Sequence, residues 1–212
     1  MPRKNIIPLL GKPLIAWTIE QAKESRYIDK VIVSTDDREI AEVSKKYGAE
    51  IPFLRPKELA EDDSKVIDAI LLVIEWIEKN DMYYDLIVLL QPTTPLRTSE
   101  DIDNSIELLF SKKAQAIVSV CEVEHHPHLA NTLPEDGSME NFLSFELANK
   151  NRQQLPVFYR LNGAIYLAYL DYLMAKKGFF GEGTYAYLMQ RRKSIDIDND
   201  IDLKFTEFLL KD

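Results

Sequence analysis

Two aspartates near the carboxyl terminus, Asp196 and Asp198, alternate with isoleucines in a stretch that could bind a metal ion. If this stretch is a strand, its two-residue period places both carboxylates on the same face. Two convergent carboxylates are suitable ligands for Mg²⁺ when substrate phosphates complete its coordination. The alternative is an edge strand with a solvated face, followed by Asn199 and Asp200 capping the last helix, and we assign Asp200 to that capping role.

A rigid polar loop, Gln91–Arg97, directly follows the apolar run Leu86–Leu90. Such a run is typical of a parallel strand buried on both faces, and the two prolines of the loop prevent further strand pairing. Open α/β sheets bind ligands at the carboxyl ends of their strands. There Gln91 offers the donor and acceptor needed to read a nucleobase edge, and Arg97 could hold an anion. The alternative is a strand-to-helix turn in which Ser99 caps the next helix.

Planar donors are concentrated before a predicted strand at Ala164–Ala168, in the stretches Arg152–Pro156 and Arg160–Tyr166. The Arg152 guanidinium fits a carboxylate, and Asn162 with the following glycine would let the backbone approach a ligand closely. The alternative is a polar hairpin with a role in an interface.

Three further groups of residues were considered as sites. Arg55 ends a strand-like segment and is a better site candidate than Ser64, which is a natural N-cap of the following helix. Asp36 and Asp37 occupy the equivalent edge one strand earlier, and we interpret them as helix caps. Phe179 and Phe180 lie between glycines and could form an apolar wall for a substrate group or fill the core. Three histidines over 125–128 are interrupted by a proline, and we expect no metal there.

Strand-like and helical segments alternate along most of the chain and must position these side chains. Helical periods cover 14–23, 66–79, 101–110 and 201–210, a weaker helix follows residue 37 and ends at Gly48, and strand-like runs cover 31–34, 51–54, 86–90, 116–123 and 164–168. This pattern predicts βαβ crossovers and a mostly parallel sheet with helices on both faces. Residues 124–160 break the rhythm, and we interpret them as an excursion within a single domain over 1–212, usable as a subunit arm, a lid or a substrate wall.

The composition excludes several classes of protein. A net charge of -9 disfavours nucleic acid or an anionic membrane as the main partner, and 46% hydrophobic residues can form a substantial core. The single cysteine, Cys121, fits a reducing cytoplasm, and no apolar run has membrane-spanning length. Neither a GxGxxG nor a GxxxxGK[ST] motif is present, so a bound nucleotide would be held in another way.

Taken in order, the motifs resemble those of the acylneuraminate cytidylyltransferases, the CMP-sialic acid synthetase family. The matching stretches span nearly the whole chain: Pro2–Asn5, Gly11–Leu14, Ser34–Asp37, Arg55-Pro56 with Leu59-Ala60, Gln91–Arg97, Arg152–Pro156, Asn162–Tyr166 and Ser194–Asp198. The resemblance implies a Rossmann-like nucleotidyltransferase fold. It also implies a homodimer in which the excursion reaches into the partner subunit.

The resemblance further implies a reaction and a set of residues. The anomeric hydroxyl of a sialic-type (nonulosonic) acid would attack the α-phosphate of CTP, giving a CMP-sugar and pyrophosphate. Asp196 and Asp198 would hold Mg²⁺ and act in catalysis with Lys4. The nucleotide would be contacted by Lys4, Asn5, Arg55 and Gln91. The sugar acid would be contacted by Arg152, Asn162 and Tyr166, with Phe179 and Phe180 bordering its acyl group.

Two departures from the family pattern bear on this expectation. Family members have an apolar strand and a short Gly/Ser loop with Arg and Lys ahead of the motif at Pro2–Asn5, whereas Met1 directly precedes Pro2 here. We therefore expect a truncated form that binds CTP weakly and leaves neighbouring strand edges unpaired and apolar. Second, His128-Leu129 stands where some relatives carry a lysine.

Two alternatives to a sialic-type cytidylyltransferase remain open. One is a cytidylyltransferase for another acidic sugar, such as 3-deoxyoctulosonic acid. The other is a catalytically impaired dimeric module, which the missing loop favours and the presence of Asp196, Asp198, Gln91 and Arg152 opposes.

Overall fold

The protein is described by a computed structural model over residues 3–59, 65–143 and 155–211. The helices of these ranges are α1 (Leu14–Glu24), α2 (Arg38–Lys46), α3 (Val66–Lys79), α4 (Ser99–Lys112), α5 (Leu170–Lys176) and α6 (Asp200–Lys211). The strands are β1 (Pro8–Leu9), β2 (Lys12–Pro13), β3 (Leu86–Leu89), β4 (Ala116–Glu122), β5 (Tyr159–Tyr169) and β6 (Thr184–Leu188). Short 3₁₀ turns cover Lys4–Ile6, Lys57–Leu59, Pro127–Leu129 and Arg191–Lys193.

The central sheet has four strands in the order β3-β5-β4-β6. Strands β3, β4 and β6 point in the same direction, whereas β5 is antiparallel to both β3 and β4. The reversal of β5 follows from the excursion between β4 and β5, because its two ends meet where the Val123 N–H donates to the Phe158 carbonyl at 3.0 Å. The chain therefore returns beside the end of β4 and must run back along it. The predicted α/β class is confirmed, with a mixed sheet.

Helices cover both faces of this sheet, as the alternating pattern predicts. On one face, Ile102, Ile106 and Leu109 of α4 pack with Ile117 and Leu167 of the sheet. On the other face, α3 and α5 contribute Ile74, Tyr172 and Leu173, which pack with Ala116, Val118 and Ala168. Neighbouring residues of β4 and β5 thus enter different cores, which is the consequence of the two-residue period of a strand.

The amino-terminal third of the chain is joined to this sheet less regularly. The predicted strand at 31–34 forms only one parallel bridge, between Ile32 and Glu50, and 51–54 forms no strand. A cavity of about 1090 Å³ lies between residues 31–34 and β3, with α1 and α3 as its other walls. Within the described ranges β3 is an edge strand of the sheet.

Some elements differ from the sequence prediction. Strand β6 and helix α5 were not predicted, and β5 begins five residues before the predicted start at Ala164. Helix α4 is capped by Thr98 rather than Ser99, because the Thr98 hydroxyl accepts from the Asp101 N–H while the Asp101 carboxylate accepts from the Thr98 N–H. Asp37 caps α2 as predicted, by accepting from the N–H groups of Glu39 and Ile40.

The described parts of the excursion, 124–143 and 155–158, contain the Pro127–Leu129 turn and otherwise irregular chain. His126 joins the two ends, because its Nε2 lies 3.0 Å from the Pro156 carbonyl oxygen. Among the described helices, none has the length and apolar character needed to cross a membrane.

Candidate active site

The segment 194–198 follows β6 and lies against the loop that follows β3. Ile197 is completely buried with Leu9 and Leu14, and its N–H donates to the Thr93 carbonyl at 2.8 Å. The segment forms no ladder, so the predicted strand over Ser194–Asp198 is wrong. Asp196 and Asp198 nevertheless flank the inward-pointing Ile197.

Asp196 has a buried carboxylate oxygen, Oδ1, with no hydrogen-bond partner among the described residues. Its charge acts on the neighbouring Tyr166, since burial, and then the Asp196 carboxylate, raise the pKa of that phenol above its ordinary value. A buried carboxylate oxygen without a partner is costly, and a bound cation is one of the groups that offset such a cost. Asp196 is therefore a fitting metal ligand.

Asp198 is exposed and forms an ion pair with Lys4, whose Nζ lies 2.9 Å from Asp198 Oδ1. The same ammonium donates to the Ile197 carbonyl at 3.4 Å. The pair joins the first described turn of the chain to the segment after β6. Lys4 thus lies beside Asp198, and its contact with the nucleotide stays a prediction.

Helix α6 holds this segment at its other end. The Asn199 Oδ1 accepts from the N–H groups of Ile201 and Asp202, and Asp202 Oδ2 accepts from the Asp198 and Asn199 N–H groups. The capping role predicted for Asp200 is wrong, because Asp200 is the first helical residue and Asn199 supplies the capping oxygen.

The chemistry of these donors fits Mg²⁺. No group of three or more His, Cys, Asp or Glu side chains converges anywhere in the described ranges. A pair of carboxylates is a suitable protein contribution when phosphate oxygens and water supply the remaining ligands of Mg²⁺. The residues present therefore fit a magnesium ion that binds together with a nucleotide.

Gln91 and Gly163 lie in contact beside this segment. Gly163 has a φ of 72°, which favours glycine, and a Cβ placed there would collide with Gln91 Oε1. The Gln91 amide therefore lies directly over the backbone of β5. A ligand was expected to approach the backbone at Asn162-Gly163. In this structure the Gln91 side chain occupies that position.

Arg97 does not face the site. Its side chain is 1% exposed, and its terminal nitrogens donate to groups of the protein interior. The expectation that Arg97 holds an anion is therefore wrong, because no solvent path reaches the guanidinium.

Arg55 and Asn5 line the polar end of the cavity, together with Ser34, Thr35 and Pro92. Arg55 Nη2 lies 3.6 Å from Asp36 Oδ1, and Arg55 Nε is buried with no hydrogen-bond partner in the described residues. Of the residues predicted to contact the nucleotide, Asn5 and Arg55 thus line this cavity, and Gln91 precedes Pro92, which also lines it.

Asn162 is buried at 1% exposure, and its amide is occupied inside the protein. Its Oδ1 accepts from the Ser119 hydroxyl at 2.6 Å, and its Nδ2 donates to the Ser194 hydroxyl at 2.9 Å. Because these bonds leave the amide no free face, the structure contradicts direct substrate contact by Asn162. Its position instead ties β4 and β5 to the start of the Asp196 segment.

The remaining predicted substrate residues have different positions. Phe179 is 7% exposed and packs in the core with its ring centroid 5.6 Å from that of Tyr166, whereas Phe180 is 58% exposed. Phe179 therefore packs against the Tyr166 ring inside the core, whereas the Phe180 side chain is exposed to solvent. Arg152 lies outside the described residues.

A second set of residues, whose contacts were not predicted from the sequence, connects the segment 194–198 and the turn before it to the rest of the protein. Arg160 donates to both carboxylate oxygens of Glu124 at 3.1 Å and to the Ser194 carbonyl at 3.2 Å. Lys193 lies 2.9 Å from Asp101 Oδ2. The only available sequence signal was the charge of these residues, which does not identify partners distant in the chain.

A mixed α/β sheet that carries two aspartates, a lysine and amide side chains beyond its parallel strand ends defines an enzyme of the nucleotidyltransferase class. The family model described as cytidylyltransferase matches residues 1–209, and the chain belongs to this family.

Two curated relatives and one solved structure agree with this assignment. The CMP-N,N'-diacetyllegionaminic acid synthase of Legionella pneumophila is 36% identical over 100% of this chain and 90% of its own length. The N-acylneuraminate cytidylyltransferase of Escherichia coli O18:K1:H7 is 35% identical over 95% of this chain and 46% of its own length. A solved CMP:2-keto-3-deoxy-manno-octonic acid synthetase, complexed with CTP, has a TM-score of 0.70 at 14% identity and covers 100% of this chain and 92% of its own, which shows the shared fold.

Proposed function

We propose that the protein transfers CMP from CTP to the anomeric hydroxyl of a nonulosonic acid. Its membership of the cytidylyltransferase family supports the use of CTP. An acceptor of this class is supported by two relatives, one named for a legionaminic acid and the other for an acylneuraminic acid. The hydroxyl oxygen would bond to the α-phosphorus while the α–β phosphoanhydride bond breaks, with release of pyrophosphate and a proton.

The observation that carries this proposal is the arrangement around Ile197. This buried residue fixes the segment by its hydrogen bond to Thr93. On one side of it lies the buried Asp196 oxygen, which has no hydrogen-bond partner in the part of the chain that the structure describes, and on the other lies the Lys4–Asp198 ion pair. The carboxylates can bind the positive Mg²⁺ ion of a magnesium triphosphate, and the ammonium can bind its negative phosphate oxygens. A site for a neutral ligand would have no need of them.

The protein residues mainly position groups and neutralise charge, as in other phosphoryl and nucleotidyl transfers. Asp196 and Asp198 would hold Mg²⁺, which supplies Lewis-acid activation of a phosphate oxygen and a template for substrate. Lys4 would turn from Asp198 toward a phosphate oxygen when nucleotide binds. Asn5, Arg55 and Gln91 would hold the nucleoside portion at the polar end of the cavity.

The acceptor would lie on the Tyr166 side of Asp196. The Tyr166 phenol is partly exposed, remains protonated at neutral pH and can donate to a hydroxyl or carboxylate oxygen. Arg152 remains the proposed partner of the acid's carboxylate, and Phe180 the proposed border of its acyl group.

A turnover assay with a panel of acids tests the proposal. We expect pyrophosphate release from CTP and Mg²⁺ with N-acetylneuraminic acid or with legionaminic-type or pseudaminic-type acids, and no release with ATP, GTP or UTP. If pyrophosphate were released preferentially with 3-deoxyoctulosonic acid, that acid would replace the nonulosonic acids as the proposed acceptor. A folded protein that releases no pyrophosphate with any acid would contradict the proposal and favour the impaired dimeric module.

A further inference from the structure

Among the described residues, Arg97 has the largest fully buried side chain. Its Nη1 donates to the Ala164 carbonyl at 2.8 Å, to the Thr94 hydroxyl at 3.3 Å and to the Gln91 carbonyl at 3.4 Å. Its Nη2 donates to the Thr18 hydroxyl at 2.8 Å. No carboxylate lies within ion-pair distance of this guanidinium in the described ranges.

A cation in such surroundings is costly. Burial lowers the pKa of Arg97 to about 10, and the charge of Asp101 offsets only part of this effect. A side chain used merely to fill space would be apolar, since an uncompensated buried charge is destabilising. The acceptors of Arg97 indicate what the guanidinium does instead.

These acceptors belong to three elements that meet at the site. Gln91 and Thr94 are in the loop after β3, Ala164 follows the glycine on which the Gln91 side chain lies, and Thr18 is in α1. One planar group thus fixes the backbone at Gln91 and the backbone beneath the Gln91 amide. A lysine would supply three donors on a flexible stem and could not reproduce this fork.

We propose that Arg97 is a positioning residue, which fixes Gln91 over Gly163 and so prepares the nucleotide site before CTP binds. The inference deepens the proposed function, because it assumes that Gln91 contacts the nucleotide. The effect of Arg97 on the loop itself does not require that assumption and is measured separately.

The first experiment follows amide hydrogen exchange in the free protein. In Arg97→Lys we expect exchange at the Thr94 amide and over 163–165 to increase about tenfold, while α2 remains unchanged. Thr18→Val removes one acceptor, keeps the guanidinium and should produce the same pattern at about a third of the size. Arg192→Lys is the matched control, because Arg192 is exposed and lies in the Arg191–Lys193 turn, outside the loop after β3. Wild-type exchange in both variants, or an increase spread equally over α2, would overturn the proposal.

The second experiment is a double-mutant cycle on kcat/KM for CTP. If Arg97 acts through Gln91, Arg97→Lys should lower kcat/KM about tenfold in the wild-type background and less than about threefold in Gln91→Ala. Additive losses would show a general structural role and overturn the positioning role. If the wild type itself shows no turnover, the proposed function fails, and the exchange experiment still decides whether Arg97 fixes the loop.

Discussion

Asp196 and Asp198 have different surroundings although one residue separates them. Asp196 has a buried oxygen without a hydrogen-bond partner among the described residues, and Asp198 is exposed and paired with Lys4. Exposed ion pairs contribute only about 0–1 kcal/mol to stability. The Lys4–Asp198 pair therefore contributes little to stability, and we propose that both groups change partner when a ligand binds.

Substitution of either aspartate should separate activity from stability. We expect Asp196→Asn and Asp198→Asn each to lower kcat about 100-fold or more, since each removes a carboxylate proposed to hold Mg²⁺. For Asp198→Asn, the free energy of unfolding should change by less than about 1 kcal/mol. Steady-state kinetics and urea denaturation measure the two effects.

The matched control is Asp200→Asn, which makes the same change in charge two residues further along the chain. Asp200 is exposed, begins α6 and does not face the site. We expect it to keep wild-type kcat. Equal activity in all three variants would refute the metal assignment.

At the scale of elements, helices α1 and α4 are locked together by Asp103. Its carboxylate accepts from the Ser25 hydroxyl at 2.6 Å, from Arg26 Nε at 2.8 Å and from the Arg26 backbone N–H at 3.1 Å. Burial of Asp103 opposes ionisation, but these three bonds outweigh it and lower the pKa of Asp103 below its ordinary value of 3.8. The ionised form is therefore the one that stabilises the helix pair.

The sign of the pH dependence follows from this shift. A lowered pKa in the folded state contributes stability that is present above the unfolded pKa, near 4, and is lost as pH falls through the lower, folded pKa. We expect Asp103→Asn to lower the free energy of unfolding by about 1.5–3 kcal/mol at pH 7 and to reduce the loss of stability between pH 5 and pH 2. Urea denaturation at several pH values measures both, with the exposed Asp29→Asn as control. An unchanged acid response would contradict this account.

The cavity between residues 31–34 and β3 leads to a second prediction at this scale. Asn5 lines the cavity, so a segment joined ahead of Arg3 could enter it directly. An added strand of about five or six apolar residues, joined by a short polar loop, would bury its side chains and pair with β3. We expect the melting temperature to rise by about 5 °C or more. A Gly/Ser extension of the same length is the control, and equal melting temperatures for the two would contradict the prediction.

Helices were easier to predict from the sequence than the sheet. Helix α3 was predicted at its observed bounds because Ile67, Ile70, Ile74 and Ile77 repeat with a helical period. The direction of β5 was not predicted, because it depends on the excursion returning to the end of β4. The short β6 was not predicted, because its two tyrosines are only partly buried and the segment reads as a loop in the sequence.

The sequence motifs identified candidate residues of the site, but not which of them are buried. Lys4 pairs with Asp198, and Asn5 and Arg55 line the same cavity. The roles assigned to these residues, to Asp196 and to Gln91 remain predictions. Asn162 and Arg97 have equally polar side chains, but tertiary partners distant in the chain, Ser194 and Thr18, hold them inside the protein. Residue type and spacing do not distinguish these two outcomes.

At the scale of the whole molecule, an apolar surface surrounds the start of β5. Val157, Tyr159 and Leu161 alternate along one face and are 60%, 51% and 49% exposed. Leu133 and Met139, in the described part of the excursion, are also exposed. Exposed apolar residues grouped in this way are typical of a protein interface, and we propose that they form the contact of a homodimer.

Sedimentation velocity measures the assembly. We expect a dimer for the wild type and a monomer for Leu161→Glu, because a buried unpaired charge at the contact would oppose association. Met174→Glu is the control, since Met174 is exposed on α5, away from this surface. A monomeric wild type, or a dimeric Leu161→Glu, would contradict the assignment of the interface.

The fate of the CTP phosphates tests the central claim most directly. Wild-type protein would be incubated with Mg²⁺, a nonulosonic acid and CTP labelled at either the α- or the γ-phosphate, and the products separated. We predict that the α-label appears in a nucleotide linked to the acid and the γ-label in pyrophosphate, both only when the acid is present. Retention of both labels in CTP with every acid, or transfer of the γ-label to the acid, would contradict cytidylyl transfer by this protein.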